Sequence, residues 1–299
     1  MLSLSSNWIA DALDRLAKSP AGYHVGGPTA AEPSALAALA LLGAGRIDDA
    51  KPHLKWLAEN QISGDGSSSP LSGLHWPGWP TPLAIIACVV AKQNLADFGI
   101  QMGRAKQWLL SEEGKTLEKS PEFGHDGMLV GWPWVNGTHS WQEPTAWSVL
   151  ALKSLGLATH PRTREGVRLL IDRLLPEGGC NYGNTYVLGQ KLRPQVEPSG
   201  LTLLALAGED SDDPRISRTI KYVASAISEP TTPISLGYGL VGLTAHRRAP
   251  ADAAAWLESA YAHTIKRESS SLPIALLVLA AQGDDCPLIK QSRAERIGK

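Results

Sequence analysis

Residues 176–207 read PEGGCNYGNTYVLGQKLRPQVEPSGLTLLALA, and this stretch decides the fold. It begins with a loop rich in Gly, Asn and Tyr, and passes at Glu197-Pro198 into a run of small and apolar residues. Proline at the first helical position loses no hydrogen bond, because the N–H there would have no partner inside the helix. The stretch therefore predicts a loop followed by a helix that is buried on every side.

The same pattern of a loop followed by an apolar helix occurs six times along the chain. The prolines that open the apolar runs are 35 to 62 residues apart, at Pro33, Pro82, Pro144, Pro198, Pro233 and Pro273. More polar, amphipathic segments lie between them, at residues 8–17, 47–60, 98–110, 163–174, 214–227 and 251–265. A period in this range is typical of helical-hairpin repeats.

A chain of hairpins forms either an open superhelix or a closed ring. An open array needs terminal repeats with a polar outer face. The last buried run, residues 272–281, is as apolar as any other, so a polar cap is missing. We therefore predict an all-α protein, with residues 1–299 forming a single (α/α)6 toroid. Its six inner helices run parallel, and the outer helices form a ring around them.

Composition excludes several classes of protein. The chain is 43% hydrophobic and 19% charged, and its net charge of −1 indicates no nucleic-acid partner. The three cysteines are scattered, which fits a reducing compartment better than a disulfide framework. We see no signal peptide and no apolar run of the ~20 residues that a membrane span needs. We expect a cytoplasmic protein, whose oligomeric state the sequence does not indicate.

Parallel inner helices bring every outer-to-inner loop to one end of the ring, which we call the mouth. The long loops 61–80, 111–142 and 175–196 carry most of the aromatic side chains. Their tryptophans form either a wall around a ligand or plugs that fill the ring's axis. The residues predicted to bind a ligand are Trp76, Trp79, Trp132, Trp134, Trp141, Cys180, Asn181 and Tyr182.

Three glutamates, Glu32, Glu143 and Glu197, occupy the same place in their repeats, directly before the inner-helix proline. One interpretation is that they complement the helix dipole. The other is a ring of carboxylates around a cavity, of which one acts as a general acid after burial against Trp raises its pKa. We take Glu143 and Glu197 as catalytic candidates, together with Asp126 and His139 beside the tryptophans.

The repeat resembles that of squalene cyclases and of the β-subunits of protein prenyltransferases. An aromatic residue, Gln and then Gly-x-Trp define that repeat. Here Trp56, Gln61 and Asp65-Gly66 match it, with Ser68 in place of the last Trp. Gly178-Gly179-Cys180 is a weaker copy. The segments GWPW at 131–134 and SWQEPT at 140–145 are similar to small bacterial prenyltransferase/squalene-oxidase-repeat proteins.

The resemblance implies an α/α toroid and a hydrophobic, isoprenoid-like ligand in an axial cavity. Cyclases of this kind use Asp-x-Asp-Asp, which residues 210–213 match. That segment, however, lies at the end of the ring opposite the mouth, where acids favour the start of a helix. Prenyltransferases hold zinc through Asp, Cys and His. No second metal ligand lies close to Cys180 in the sequence. We therefore predict no cofactor, with zinc as a disfavoured alternative.

Three functions follow from the sequence. The first is a terpenoid-cyclase-like or prenyl-transfer-like toroid that binds an isoprenoid or another hydrophobic molecule. The second is a binding or scaffold protein that keeps the ring without the chemistry. The third is a carbohydrate-active enzyme that uses the carboxylates at the mouth. Whether the chain is an enzyme at all is left open by the sequence.

Overall fold

The computed structural model describes residues 7–18, 21–74, 76–92, 101–118, 120–267 and 270–293. Six apolar helices form an inner layer: α2 (Ala31–Gly43), α4 (Thr81–Lys92), α6 (Gln142–Ser154), α8 (Val196–Leu206), α10 (Pro233–Ala245) and α12 (Ser271–Ala281). Six helices surround them: α1 (Asn7–Lys18), α3 (Ile47–Glu59), α5 (Met102–Ser111), α7 (Pro161–Asp172), α9 (Pro214–Ala226) and α11 (Ala253–Lys266). A short helix, α13 (Pro287–Ser292), follows the last hairpin.

The two layers differ in which side chains they bury. In α2, twelve consecutive residues from Ala31 to Leu42 are buried, because other helices surround it. In α3 only one face is buried, and Ala50, Leu54 and Leu57 lie on it at helical spacing. The start of the outer segment predicted at 98–110 lies outside the described residues.

The hairpins close into a ring. Each inner helix packs against the next one in the chain, and α12 packs against α2. The outer helices pack in the grooves between them, and α1 contacts both α12 and α2. The all-α toroid predicted from the sequence is therefore confirmed. Among the described residues, no helix is long and apolar enough to cross a membrane.

The axis of the ring is filled by side chains and by α13. Trp147 of α6 and Tyr238 of α10 are both buried and meet edge-on, with ring centroids 6.2 Å apart. These two helices are not neighbours in the ring, so their side chains meet across its interior. At the end away from the mouth, α13 contacts α2, α4, α6, α8 and α10. The sequence did not predict this helix.

Glycines let α8 and α10 approach at backbone distance. A Cβ added to Gly200 would lie 2.4 Å from the carbonyl oxygen of Tyr238, and one added to Gly242 would lie 2.3 Å from that of Gly200. Real Cβ atoms essentially never come this close. The two glycines therefore fix the position of Tyr238 relative to α8.

The acidic segment at residues 210–213 lies directly before α9. The Asp213 carboxylate accepts a hydrogen bond from the backbone N–H of Arg215 at 2.9 Å and pairs with the Arg215 guanidinium at 2.8 Å. It is the N-cap of α9, a role for which aspartate is well suited. Its location opposite the mouth agrees with the expectation that this motif is a helix start.

Candidate functional site

Three glutamates from different inner helices converge at the mouth. Glu32, Glu143 and Glu197 are each the second residue of their helix, α2, α6 and α8. Glu32 and Glu143 are buried, with 8% and 9% of their surface exposed, and Glu197 is half-buried. Their charges act on one another, although α2 and α8 lie on opposite sides of the ring. We call this group, with Tyr23, Trp147 and Tyr238, the carboxylate cup.

Burial raises the pKa of all three carboxyl groups. The pKa of Glu143 lies well above its ordinary value of 4.5, first because of burial and then because of the charges of Glu32 and Glu197. Burial likewise raises the pKa of Glu32 to about 7, although the Tyr23 hydroxyl donates a hydrogen bond to its Oε2 at 2.8 Å. Burial also raises the pKa of Glu197.

The helix N-termini oppose these shifts but are too weak to reverse them. A helix dipole stabilises a nearby anion by about 0.3–1 kcal/mol, less than one pKa unit. The change at Glu32, from 4.5 to about 7, is larger. At neutral pH the Glu32 carboxyl group, with a pKa of about 7, is therefore partly protonated, and the protonated form is what a general acid requires.

Two buried donors form the floor of the cup. The Trp147 Nε1–H lies close enough to Glu143, and the Tyr238 hydroxyl close enough to Glu32, that hydrogen bonding lowers the pKa of each carboxyl group, although burial outweighs this effect. Trp147 follows Glu143 by one helical turn, and the charges of all three glutamates act on Tyr238. Hydrogen bonds from such donors favour the ionised form of a carboxyl group, so Trp147 and Tyr238 offset part of the effect of burial.

Tyr182 covers the cup from the loop between α7 and α8. Its side chain is 42% exposed, and the charges of Glu197 and Glu143 add to the effect of burial in raising its pKa. Its backbone carbonyl accepts a hydrogen bond from the Gln142 N–H at 2.9 Å, which ties the loop to the start of α6. Of the polar residues predicted from this loop, Tyr182 is the one that reaches the carboxylates.

A cavity of about 640 Å³ leads to the cup at Glu197. It lies between the N-terminal ends of α10 and α12 and the side of α11, and we call it the entry cavity. Its polar lining comes from Thr231, Thr232, Glu229, His263 and Arg267. Small-molecule sites in proteins typically enclose ~300–1,000 Å³. The volume therefore suits a ligand that extends from Glu197 toward solvent.

The predicted tryptophans take other positions. Trp132 is in the core, where its Nε1–H donates to the Leu109 carbonyl at 2.8 Å and the Arg162 guanidinium lies 4.0 Å above its ring. Trp79 and Trp134 meet edge-on with centroids 4.7 Å apart. These two and the exposed Trp76 border a small pocket of about 60 Å³ beside α5. None of them lines the entry cavity.

Cys180 and Asn181 are committed to local structure. Burial raises the pKa of the Cys180 thiol to about 11, and its Sγ lies 3.6 Å from the Thr202 hydroxyl. Asn181 donates to the Arg193 carbonyl at 2.7 Å and accepts from the Tyr182 N–H at 2.8 Å. Within the described part of the chain, no group of three His, Cys, Asp or Glu side chains is placed to hold a metal ion.

Asp126, His139 and Trp141 lie around a second cavity of about 360 Å³, which we call the loop pocket. His139 and Trp141 line it, and Asp126 lies behind it, where its N–H donates to the Asp172 carboxylate at 2.9 Å. The pocket separates the loop before α6 from a two-stranded hairpin, β1 (Tyr186–Val187) and β2 (Gln190–Lys191). Neither Asp126 nor His139 belongs to the carboxylate cup.

Three members of the cup, Tyr23, Trp147 and Tyr238, were not among the predicted site residues. Tyr238 is the one aromatic residue in the glycine-rich run PISLGYGLVGL, and a hydroxyl in such a buried run is a signal that sequence analysis can use. Tyr23 lies in the loop before α2 and carries no comparable signal. Its role depends on the hydrogen bond to Glu32, which only the fold creates.

No protein-family model matches this sequence, and no curated protein matches it either. The fold is similar to solved structures. One is that of a protein described as a novel alpha-amylase from Clostridium perfringens, with a TM-score of 0.63 and 14% sequence identity. The match covers 92% of this chain and 96% of that chain. At this identity the likeness shows a shared helical toroid fold.

Proposed function

We propose that the protein is a carbohydrate-active enzyme that cleaves glycosidic bonds by acid catalysis in the carboxylate cup. The strongest support for this proposal is that two catalytic candidates, Glu143 and Glu197, have different environments. Burial raises the pKa of Glu143 well above its ordinary value, whereas Glu197 borders the entry cavity and is more accessible to solvent. Two carboxyl groups whose surroundings separate their pKa values are the usual requirement for breaking a glycosidic bond.

In this proposal the two glutamates have complementary roles. Glu143 donates its proton to the glycosidic oxygen as the bond from that oxygen to the anomeric carbon breaks. Glu197, when ionised, accepts a proton from the water that adds to the anomeric carbon. The products are two shorter sugar chains, and one of them carries a new reducing end. The Trp147 Nε1–H stabilises the carboxylate that forms on Glu143.

A carbohydrate substrate agrees with the known fold relative better than an isoprenoid does. That relative is described as an alpha-amylase. The isoprenoid prediction requires an apolar cavity on the axis walled by the mouth tryptophans. In the described residues Trp147 and Tyr238 meet across the interior of the ring, and Trp132 is in the core. Isoprenoid binding and a scaffold without chemistry stay predictions that the following experiment also addresses.

The test is a search for new reducing ends with wild-type protein and Glu143→Gln. Purified protein is incubated with starch, cellulose, xylan and pectin fragments, and with squalene as a hydrophobic alternative. We expect reducing ends from at least one polysaccharide. Glu143→Gln should lower the rate by about 10²–10⁴-fold, the usual contribution of a general acid.

A matched variant separates loss of chemistry from loss of structure. Glu59→Gln changes an exposed glutamate at the end of α3 and should keep the full rate. Retention of activity by Glu143→Gln, or conversion of squalene with no reaction on any polysaccharide, contradicts the proposal.

A further inference from the structure

The loop pocket carries aromatic and polar groups that the proposed cleavage does not use. Three half-buried aromatic rings, those of Phe123, Trp141 and Tyr186, are among its lining residues. His125 and Arg173 also line it. The pocket lies directly beside the cup, because Trp141 comes two residues before Glu143 and Asn184, another lining residue, two after Tyr182.

The hydrogen bonds around His125 determine which of its two ring nitrogens can accept a hydrogen bond from a ligand. The Thr185 hydroxyl donates its single hydrogen to the Phe123 carbonyl at 2.7 Å. It can therefore only accept from His125 Nδ1, which lies 3.0 Å away. Burial, followed by the charge of Arg173, lowers the pKa of His125 to about 4, so the ring is neutral at pH 7. Nε2 then carries a lone pair that can accept a hydrogen bond.

Arg173 places a buried guanidinium at the wall of the loop pocket. Its side chain is 6% exposed, and its Nη1 donates to the Gly183 carbonyl at 2.6 Å. Its Nε forms an ion pair with the Asp172 carboxylate at 3.5 Å. The positive charge of Arg173 at the wall of the pocket favours a ligand that offers hydrogen-bond acceptors there.

We infer that the loop pocket is a sugar-binding subsite, which holds one ring of the substrate chain beside the carboxylate cup; this rests on the proposed function. A sugar hydroxyl can donate a hydrogen bond to His125 Nε2, and its oxygen is favoured beside the positive charge of Arg173. The aromatic rings provide the apolar surface for the sugar's C–H face. The pocket and the entry cavity both adjoin the cup, so the site takes a chain of several sugars.

Binding to a cleavage-deficient protein tests this inference apart from the chemistry. Glu143→Gln is titrated by calorimetry with malto-, cello- and xylo-oligosaccharides of two to six residues. Two further substitutions are added to it separately. Tyr186→Ala removes an aromatic surface, and His125→Phe keeps the ring that stacks on Phe123 with centroids 6.0 Å apart but removes the acceptor. Each should weaken binding of the longest bound oligosaccharide at least about tenfold, with little effect on the disaccharide.

The control is Gln190→Ala, which lies on the same hairpin but does not line the pocket and should bind as the parent does. Circular dichroism establishes that each variant is folded. Unchanged affinity in both pocket variants, or no binding of any oligosaccharide at millimolar concentration, overturns the subsite. If wild type cleaves a polysaccharide while the pocket variants bind normally, the subsite fails and the proposed function stands. If the pocket variants bind more weakly than the parent but wild type cleaves no polysaccharide, the subsite stands and the proposed function fails.

Discussion

Glu32 and Glu143 lie in the first turns of their helices, where the dipole favours an ionised carboxylate, yet burial raises the pKa of both. The sequence identified both glutamates and the two opposing effects on them. It did not show which effect is larger, because the burial of a side chain depends on helices that are remote in sequence. Tyr23 and Tyr238 complete the environment of these residues from opposite ends of the chain.

The raised pKa of Glu32 predicts how stability depends on pH. A carboxyl group whose pKa is higher in the folded state than in the unfolded state binds more protons when folded. Its contribution is therefore complete below pH 4.5 and is lost as pH rises through about 7. The loss amounts to roughly 3 kcal/mol at pH 8. Glu32→Gln removes it, so the variant should be more stable than wild type at pH 8 and similar to it at pH 4.5.

Urea denaturation at the two pH values measures this difference in the free energy of unfolding. Glu177→Gln is the control, because Lys191 lowers the pKa of that exposed carboxylate. It should not stabilise the protein at pH 8. If Glu32→Gln changes the free energy of unfolding equally at both pH values, the pKa of Glu32 is not raised in the folded state.

At the scale of elements, the inner helices were predictable and the contacts between them were not. A proline followed by an apolar run predicts a buried helix, and each of the six predicted runs forms one. The glycines of α8 and α10 are equally visible in the sequence. Their function appears only when Gly200 and Gly242 meet across the interface, where added Cβ atoms would overlap backbone oxygens.

Gly200→Ala should therefore lower the free energy of unfolding. Overpacking of a well-packed contact costs about 1–3 kcal/mol, and here the obstacle is rigid backbone. Because the clash is with the Tyr238 carbonyl, the variant should also lose activity in the cup. Gly103→Ala in α5 is the control, since nothing lies within 4 Å of its added Cβ. Thermal denaturation of both variants provides the comparison, and equal melting temperatures would contradict the account.

For the whole molecule, α13 decides that the ring has one open end. Leu288 and Ile289 are buried at 1% exposure, and α13 touches five inner helices. Leu288→Ala should cost about 2–5 kcal/mol, as large-to-small core substitutions do. Lys290→Ala on the exposed side of α13 should cost at most about 1 kcal/mol, because its ion pair with Asp285 is a surface one. Similar denaturation midpoints for the two variants would show that α13 does not close the axis.

The sequence by itself determined the helical repeat and the closure of the ring, and it predicted a site at the mouth. These properties follow from local patterns, namely prolines, apolar runs and the lack of a polar terminal repeat. The tertiary structure alone decided that Trp147 and Tyr238 meet across the ring's interior. It also decided that the tryptophans of the mouth loops lie outside the cup and that the three glutamates lie close together. The reason is physical: electrostatic energy and burial depend on distances across the ring, and residues more than 50 positions apart in sequence set those distances.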